Sequence, residues 1–385
     1  MQSPGAMESF LNASKTALSQ LSSYHTIRVV LGNQTCDLDS AVCALVQGLL
    51  EHVGVKKCGQ DDIAVIPVMN IPEKEFRIKT EVVYSLKSHN IPLNLITFRD
   101  QIDLQSIQND ANKKLELILV DHHTLSNEDF ALNSSVIAII DHRPLDPAWS
   151  WPNISLTIRI VGSCATLVAR NVLQKNDGIL DIQLASLLRG PILIDTCNMS
   201  HKVRRATATD ISVLNALEQL GGLTSETRTE TFNKIMDAKT DISELTLEEL
   251  MIKDLKVTNG IPLVGFPFLI ENFLTRENAK ETIEKFGNDR NYDVIILMGQ
   301  NISDEQKCVS KDIAVFSTLD NRLAFDITVA LFSFEAYLNL ELIKEIEDEK
   351  YKLCLYRQRN IKATRKQVLP IVQKTVVRYE TRKRR

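Results

Sequence analysis

Glycine and proline are scarce, at 14 and 11 of 385 residues. That excludes collagen-like and low-complexity chains and argues for regular elements joined by economical loops. No run approaches 18 consecutive apolar residues, so no membrane span is expected. The seven cysteines, at 36, 43, 58, 164, 197, 308 and 354, contain no CxxC pair and are odd in number. Buried thiols in a reduced compartment fit that usage better than a disulfide framework does. An excess of one charge is also missing. With 45 basic and 49 acidic residues the net charge is −4, so the basic footprint of a general nucleic-acid binder is absent and no nucleic-acid partner is expected. Phe10-Leu11 and Ala17-Leu18 are too scattered for a signal's apolar stretch, Glu8 interrupts it, and the first arginine is Arg28. Neither a secretory signal nor a mitochondrial presequence is therefore expected; the segment from Glu8 to Ser22 reads as a short helix, and the expected location is cytoplasmic. A P-loop is absent, and Gly162-Ser163-Cys164-Ala165-Thr166 lacks the second glycine of a serine-hydrolase elbow.

What is present is an ordinary globular balance, 44% hydrophobic and 24% charged, over a length that predicts two domains. Strand-like runs occur at 27–31, 63–68, 93–98, 115–120, 136–140 and 192–194. Helical patterns separate them at 38–52, 78–89, 163–172 and 182–188. Near-continuous apolar strands alternating with helices predict a parallel sheet covered on both faces. In such sheets ligands sit beyond the carboxyl ends of the strands.

Acids stand at those ends. Leu31 is followed by Gly-Asn33-Gln-Thr-Cys-Asp37-Leu-Asp39-Ser, Val120 by Asp121-His122-His123, Ile140 by Asp141-His142-Arg143-Pro, and Ile194 by Asp195-Thr. The repetition predicts that Asp37, Asp39, Asp121, His142 and Asp195 converge on a metal site. Four carboxylates carry a charge that two divalent cations neutralise. Oxygen-rich ligation with one imidazole suits Mn²⁺ or Mg²⁺ better than Zn²⁺. Asp37 and Asp39, two residues apart, can each face one ion, with Asp121 as the bridging candidate. Such a pair, about 3.5–4 Å apart, suits phosphoryl displacement. Glycoside hydrolysis also uses paired carboxylates, but it leaves the other acids and the histidines unexplained. The turn at Gly162–Thr166 reads equally as a structural helix cap or as a phosphate-attracting helix N-terminus. Cys36 and Cys164 abut the site as spectators, since a thiolate is a poor ligand for a hard ion.

All seven histidines lie at or before position 201. From about 206 the chain turns helical, at 209–220, 230–238 and 245–254, with strand-like runs returning at 261–266, 293–298 and 313–318. The expected organisation is a metal-binding domain over 1–205, a hinge helix over 206–224 and a second α/β domain over 225–378. A basic tail over 379–385 reads as a solvated end or as an anionic-partner patch.

The succession Asn-x-x-x-Asp-x-Asp-Ser, Asp-His-His, Asp-His-Arg-Pro, Gly-Ser-x-Ala-Thr and Asp-Thr resembles the DHH phosphoesterase superfamily, and within it the prune proteins. The match runs from about Arg28 to Pro370. The resemblance implies an N-terminal parallel-sheet DHH domain and a smaller C-terminal DHH-associated α/β domain around a cleft. It implies hydrolysis of short-chain polyphosphate and of cyclic nucleotides by a two-metal mechanism, or else a low-activity site in a regulatory protein acting through nucleoside diphosphate kinase. Family II pyrophosphatases, relatives of that family, carry histidines where this chain has Asn33 and Arg143. Arg143 cannot ligate a metal, but it can fork onto a phosphate. Ala363-Thr-Arg365-Lys366-Gln resembles the Ser-Arg-Lys motif with which the second domain grips phosphates, so Arg365 and Lys366 join Asn33 and Arg143 as substrate-binding candidates. Lys239 and Lys256 are weaker ones. His122 is the candidate catalytic donor to the leaving phosphate, with Arg143 beside it; His123 is open between packing and function, and His201 reads as a hinge residue.

Overall fold

Alternation of side chains on twin-buried strands governs the first half of the molecule. In the computed structural model, which describes residues 5–175, 178–223, 226–302, 308–333 and 336–383, Val30 faces one apolar cluster while Ile27, Val29 and Leu31 face another. The neighbouring strand does the same, with Ile118 and Val120 on one side and Leu115, Leu117 and Leu119 on the other. A strand buried on both faces needs helices on both faces. The chain divides into two units, Met1–Asp241 and Ile242–Arg385.

The first unit runs α1 (Ala6–Ser19), β1 (Thr26–Leu31), α2 (Leu38–Lys57), β2 (Ile63–Met69), α3 (Thr80–Ser88), β3 (Thr97–Phe98), α4 (Leu104–Asn109), β4 (Lys114–Val120), β5 (Val136–Asp141), β6 (Ser155–Ile158), α5 (Cys164–Lys175), α6 (Ile182–Asp195), α7 (Ala208–Leu220) and α8 (Arg228–Thr240). Its sheet has the order β3-β2-β1-β4-β5-β6, parallel throughout. The chain winds outward from β1 in one direction and from β4 in the other. The crevice between the carboxyl ends of β1 and β4 is therefore the topological switch point where α/β sheets bind ligands. Leu31 pairs with Leu119, so the two strands end level and deliver Asn33 and Asp121 to the same place.

Three expectations are corrected. The run at 192–194 is the last turn of α6 and not a strand. Although Gly190-Pro191 looks like a break, Leu187, Leu188, Ile192 and Leu193 are all fully buried, and that packing carries the helix through the proline despite its usual cost. The strand expected over 93–98 shortens to Thr97–Phe98. The stretch 206–224 is no free hinge. Val213, Leu214 and Leu217 of α7 and Ile235 of α8 belong to the first unit's core, so the division falls at 241/242 rather than between 205 and 225. Helix α2 is long and apolar enough to cross a membrane by composition, with a mean hydropathy of 1.3, but 78% of that stretch is buried inside the protein.

The second unit runs α9 (Leu247–Lys253), β7 (Leu255–Thr258), β8 (Ile261–Phe266), α10 (Ile270–Phe273), α11 (Ala279–Arg290), β9 (Val294–Ile302), β10 (Cys308–Thr318), α12 (Arg322–Phe332), β11 (Leu340–Glu347), β12 (Tyr351–Gln358) and α13 (Arg365–Lys383). Its sheet, β11-β12-β10-β9-β8-β7, is antiparallel except for the parallel pair β8 and β9. The expected tail from 379 is helical as far as Lys383, the last described residue.

Asp210 ties α7 to the turn before α5. Its buried carboxylate accepts from the Gly162 amide (2.9 Å), the Thr166 hydroxyl (2.6 Å), and the amide and hydroxyl of Thr207 (2.7 Å each). Asp210→Ala strands several buried donors and is expected to cost about 2–4 kcal/mol. Urea unfolding would show a lowered midpoint at an unchanged slope; an unchanged midpoint would mean that water replaces the carboxylate.

Candidate metal centre

The loop after β1 is built around Asn33. Its Oδ1 accepts from the Thr35 amide (2.9 Å), the Thr35 hydroxyl (2.6 Å) and the Cys36 amide (3.1 Å). Its Nδ2 donates to Asp121 Oδ2 at 2.6 Å. These fixed amide donors settle which side-chain atom is the oxygen. Gly32 precedes it because an added Cβ would lie 2.5 Å from Ser40 Oγ. Asp37 then caps α2, accepting from the Ser40 amide at 3.1 Å. Asp39 points the other way from the first turn of α2, into the amino end of α5. There it accepts from the amides of Cys164 and Ala165, both at 2.7 Å, and from the Ser163 hydroxyl at 2.8 Å.

Asp121 adopts φ +61 and Cys36 φ +44, a left-handed backbone that ordinary residues avoid unless their surroundings impose it. Asp141, fully buried, accepts from the amides of His142 (2.7 Å) and Arg143 (3.2 Å), which fixes the turn carrying both side chains. The His142 Nδ1–H donates to the Val161 carbonyl at 3.1 Å, leaving Nε2 3.3 Å from Asp121 Oδ1. A backbone carbonyl behind the ring is how metal-binding histidines are usually oriented.

Asp39, Asp121 and His142 bring one ligand atom each within 4.8 Å of one another. With Asp37, Asp195, Arg143, Gly162 and Arg205 they line a cavity of about 250 Å³. All five metal candidates and Arg143 therefore meet in one place. Buried Asp121 Oδ1 makes no hydrogen bond; its nearest polar neighbours are His142 Nε2 and, at 3.6 Å, the Arg143 guanidinium. Burial and then the Asp39 charge push Asp121 up to about 7. Burial followed by Asp39 and Asp37 pushes Asp195 up to about 9, and burial raises Asp39 too. Burial would lower the His142 imidazole, but Asp121 and Asp39 outweigh it and push the group up to about 9. An orphaned buried carboxylate oxygen, crowded acids that must otherwise hold protons and a properly backed imidazole fit a divalent cation.

The other candidates are not among the residues lining this cavity. His122 donates its Nδ1–H to the Val120 carbonyl at 2.9 Å, is held below its usual pKa by burial and does not line the cavity. His123 packs: Nδ1 meets Asp141 at 2.5 Å, Nε2 accepts from the Asp146 amide at 2.9 Å, and its carbonyl accepts from Trp151. Asn33 spends its oxygen on its own loop and acts on Asp121. Arg365, in the second unit, is paired with Asp254 at 2.7 Å, and Lys366 is exposed there. Burial pushes the Cys36 and Cys164 thiols up to about 12, so neither offers a thiolate. Sequence reasoning missed Arg205 as a cavity residue and Asp210 as the anchor of the Gly162 turn. The Thr207-x-x-Asp210 capping box was the available signal for the latter.

Because Asp121, Asp195 and His142 all titrate above their unfolded values, the native protein retains protons that the unfolded chain has released. Their contribution is complete below the unfolded pKa values and is lost as pH rises towards about 9. The thermal midpoint of chelator-treated protein is expected to fall between pH 5 and pH 9, and Mn²⁺ to remove most of that fall by replacing the protons. A flat profile without metal would show that the acids are not crowded in solution.

A DHHA2 domain model matches residues 233–375, a stretch that begins within α8. Exopolyphosphatase PRUNE1 of Homo sapiens is 32% identical over 377 residues, covering 97% of this chain and 80% of that protein. The protein of that name from Bos taurus is 33% identical over 378 residues with the same coverage. A crystal structure of a Methanococcus jannaschii protein assigned to the family II inorganic pyrophosphatases superposes with a TM-score of 0.50 at 21% identity. It covers 91% of this chain and 99% of its own, and shows a common fold. With identity of this order along nearly its whole length, the chain belongs to the prune family of the DHH phosphoesterase superfamily.

Proposed function

We propose that this protein is a metal-dependent phosphohydrolase that releases terminal phosphate from short polyphosphate. The observation that carries the reading is the cavity itself, where crowded carboxylates and the orphaned Asp121 oxygen lie beside an arginine that lines the same wall. Two relatives named exopolyphosphatases support it. Asp37, Asp39, Asp121, His142 and Asp195 would hold two divalent cations, Mn²⁺ or Mg²⁺. Such ions, when bound, neutralise phosphate charge and acidify an attacking water.

The residues of the chain divide the remaining work. Asp39, gripped by three donors at the end of α5, cannot swing away, and Asn33 holds Asp121 through its Oδ2. The Arg143 side chain, about half exposed, forks onto a phosphate oxygen and offsets charge that builds on the leaving phosphate as the anhydride bond breaks. Arg205 adds a second cation to the wall. Water adds to the terminal phosphorus, the bridging P–O bond breaks, and orthophosphate leaves together with a chain one unit shorter.

Phosphate release from tripolyphosphate and tetrapolyphosphate, each with Mg²⁺ and Mn²⁺, tests the proposal. Cyclic AMP serves as a parallel substrate and nucleoside diphosphate kinase as an added partner. Absence of turnover on every substrate would sink it. Asp121→Ala and Asp195→Ala are expected to abolish turnover while circular dichroism stays native; loss of folding would mean that these acids are structural. Arg143→Ala is expected to raise KM roughly tenfold or more, as losing a charge-assisted hydrogen bond does, with Mn²⁺ affinity unchanged. His142→Ala is expected to weaken Mn²⁺ affinity in calorimetry. Equal losses of affinity in the two variants would refute this division of labour.

A further inference from the structure

Beside the metal cavity runs a second groove, of about 450 Å³, between α5 and α7. Arg159 and Arg170 line it with the hydroxyl-bearing Thr209 and Ser212; the rest of its wall is leucine, valine and alanine, with no carboxylate. Several other arginines of the first unit are ion-paired: Arg28 with Glu51 and Glu116, Arg99 with Asp129, Arg189 and Arg228 with Glu218. Arg159 and Arg170 have no ion pair or side-chain hydrogen bond among the described residues. Two unpaired guanidiniums in a groove without acids make a site for an anion.

Two borders join this groove to the cavity. Asp141 pairs with Ile158 and its carbonyl accepts from the Arg159 amide at 3.2 Å. Arg159 and His142 are therefore the first residues past two paired strand ends. On the other side Arg205 lines the cavity and Ala208, three residues on, lines the groove, a separation of at most about 11 Å even if extended. An anion that extends out of the cavity past Arg143 or Arg205 can thus continue into the groove that Arg159 and Arg170 line.

We propose that Arg159 and Arg170 form a distal phosphate subsite that holds the internal phosphates of a polyphosphate whose terminal unit lies in the metal cavity. The inference rests on the phosphohydrolase reading for its substrate, and it makes chain length the property that the groove selects. The subsite has charge and hydroxyls but no aromatic ring on which a nucleobase would stack, so the ligand is polyphosphate rather than single-stranded nucleic acid.

The test is the double variant Arg159→Gln/Arg170→Gln, which removes both charges while keeping polar side chains, with the thermal midpoint as a check on folding. For the Mn²⁺ enzyme, KM for long-chain polyphosphate is expected to rise roughly tenfold or more while KM and kcat for tripolyphosphate, the shortest substrate of the proposed reaction, change far less. Equilibrium binding is measured on full-length protein carrying Asp121→Asn, so that the chain is not consumed; long-chain polyphosphate is expected to lose affinity by a similar factor and tripolyphosphate far less. Equal changes for both chain lengths, or no change for the long one, overturn the proposal. So does a single-stranded oligonucleotide of matched phosphate count that binds as tightly and loses as much. Absence of wild-type turnover would refute the phosphohydrolase reading alone, because the binding measurement still decides the groove.

Discussion

Asp37, Asp39, Asp121 and Asp195 share one cavity of about 250 Å³, and the repulsion among these carboxylates is the condition that its surroundings are built to meet. Like charges in a poorly hydrated space stay ionised only when donors or cations face them. The protein supplies some of that relief itself. Asp39 has the amino end of α5 with its hydroxyl and two amides, Asp37 has the first turn of α2, and Asp121 has Asn33 on one oxygen only. What is left, the bare Asp121 Oδ1 and the raised Asp195 at the carboxyl end of α6, is relieved by protons or by metal. A carboxylate at the negative end of a helix is otherwise unfavourable, so Asp195 is the group that most needs a cation.

The fold meets this condition at one point. Sheet order reverses between β1 and β4, so no helix crosses there and the loops after both strands are free to turn inward. Left-handed residues mark the turns that aim the ligands, at Cys36, at Asp121, and at Cys197, Asn198 and Met199 just after Asp195. Backbone strain of this kind persists where the packing around it is rigid, and the helices behind it are rigid. α2, α5, α6 and α7 share one core cluster, and Asp210 locks α7 to the turn from which α5 springs. Gly162 makes that junction possible, since a Cβ there would sit 2.5 Å from Thr196 Cγ2.

Charge changes sign over a short distance on this unit. The cavity is lined by acids together with Arg143 and Arg205, and the adjoining groove has cations, hydroxyls and apolar side chains but no carboxylate. On the proposed reading, a polyanion would be drawn towards a site whose own carboxylates repel it unless cations face them. This arrangement explains why Arg143 does not cost the site a ligand. In the proposed function it would serve the phosphate, while His142 next to it, turned by the Asp141 carboxylate and the Val161 carbonyl, would serve the metal.

Much of this was legible in the chain. Twin-buried strands show as unbroken apolar runs, so β1, β2, β4 and β5 and the helices between them were readable, as was the rule that their carboxyl ends make the site. That Asp37, Asp39, Asp121 and His142 should converge follows from position alone. Asp195 was found for the wrong local reason, since a short apolar run reads alike as buried strand or buried helix end, and only its packing in the core separates the two. The placement of α7 and α8 with the first unit, the burial of His122 away from the cavity and the pairing of Arg365 with Asp254 depend on partners far away in sequence. So do the lack of an ion pair at Arg159 and Arg170 among the described residues and their meeting in one groove. Local pattern records which residues can bury or ionise; which of them meet, and which are left without a partner, is decided when strands and helices distant in the chain are packed together.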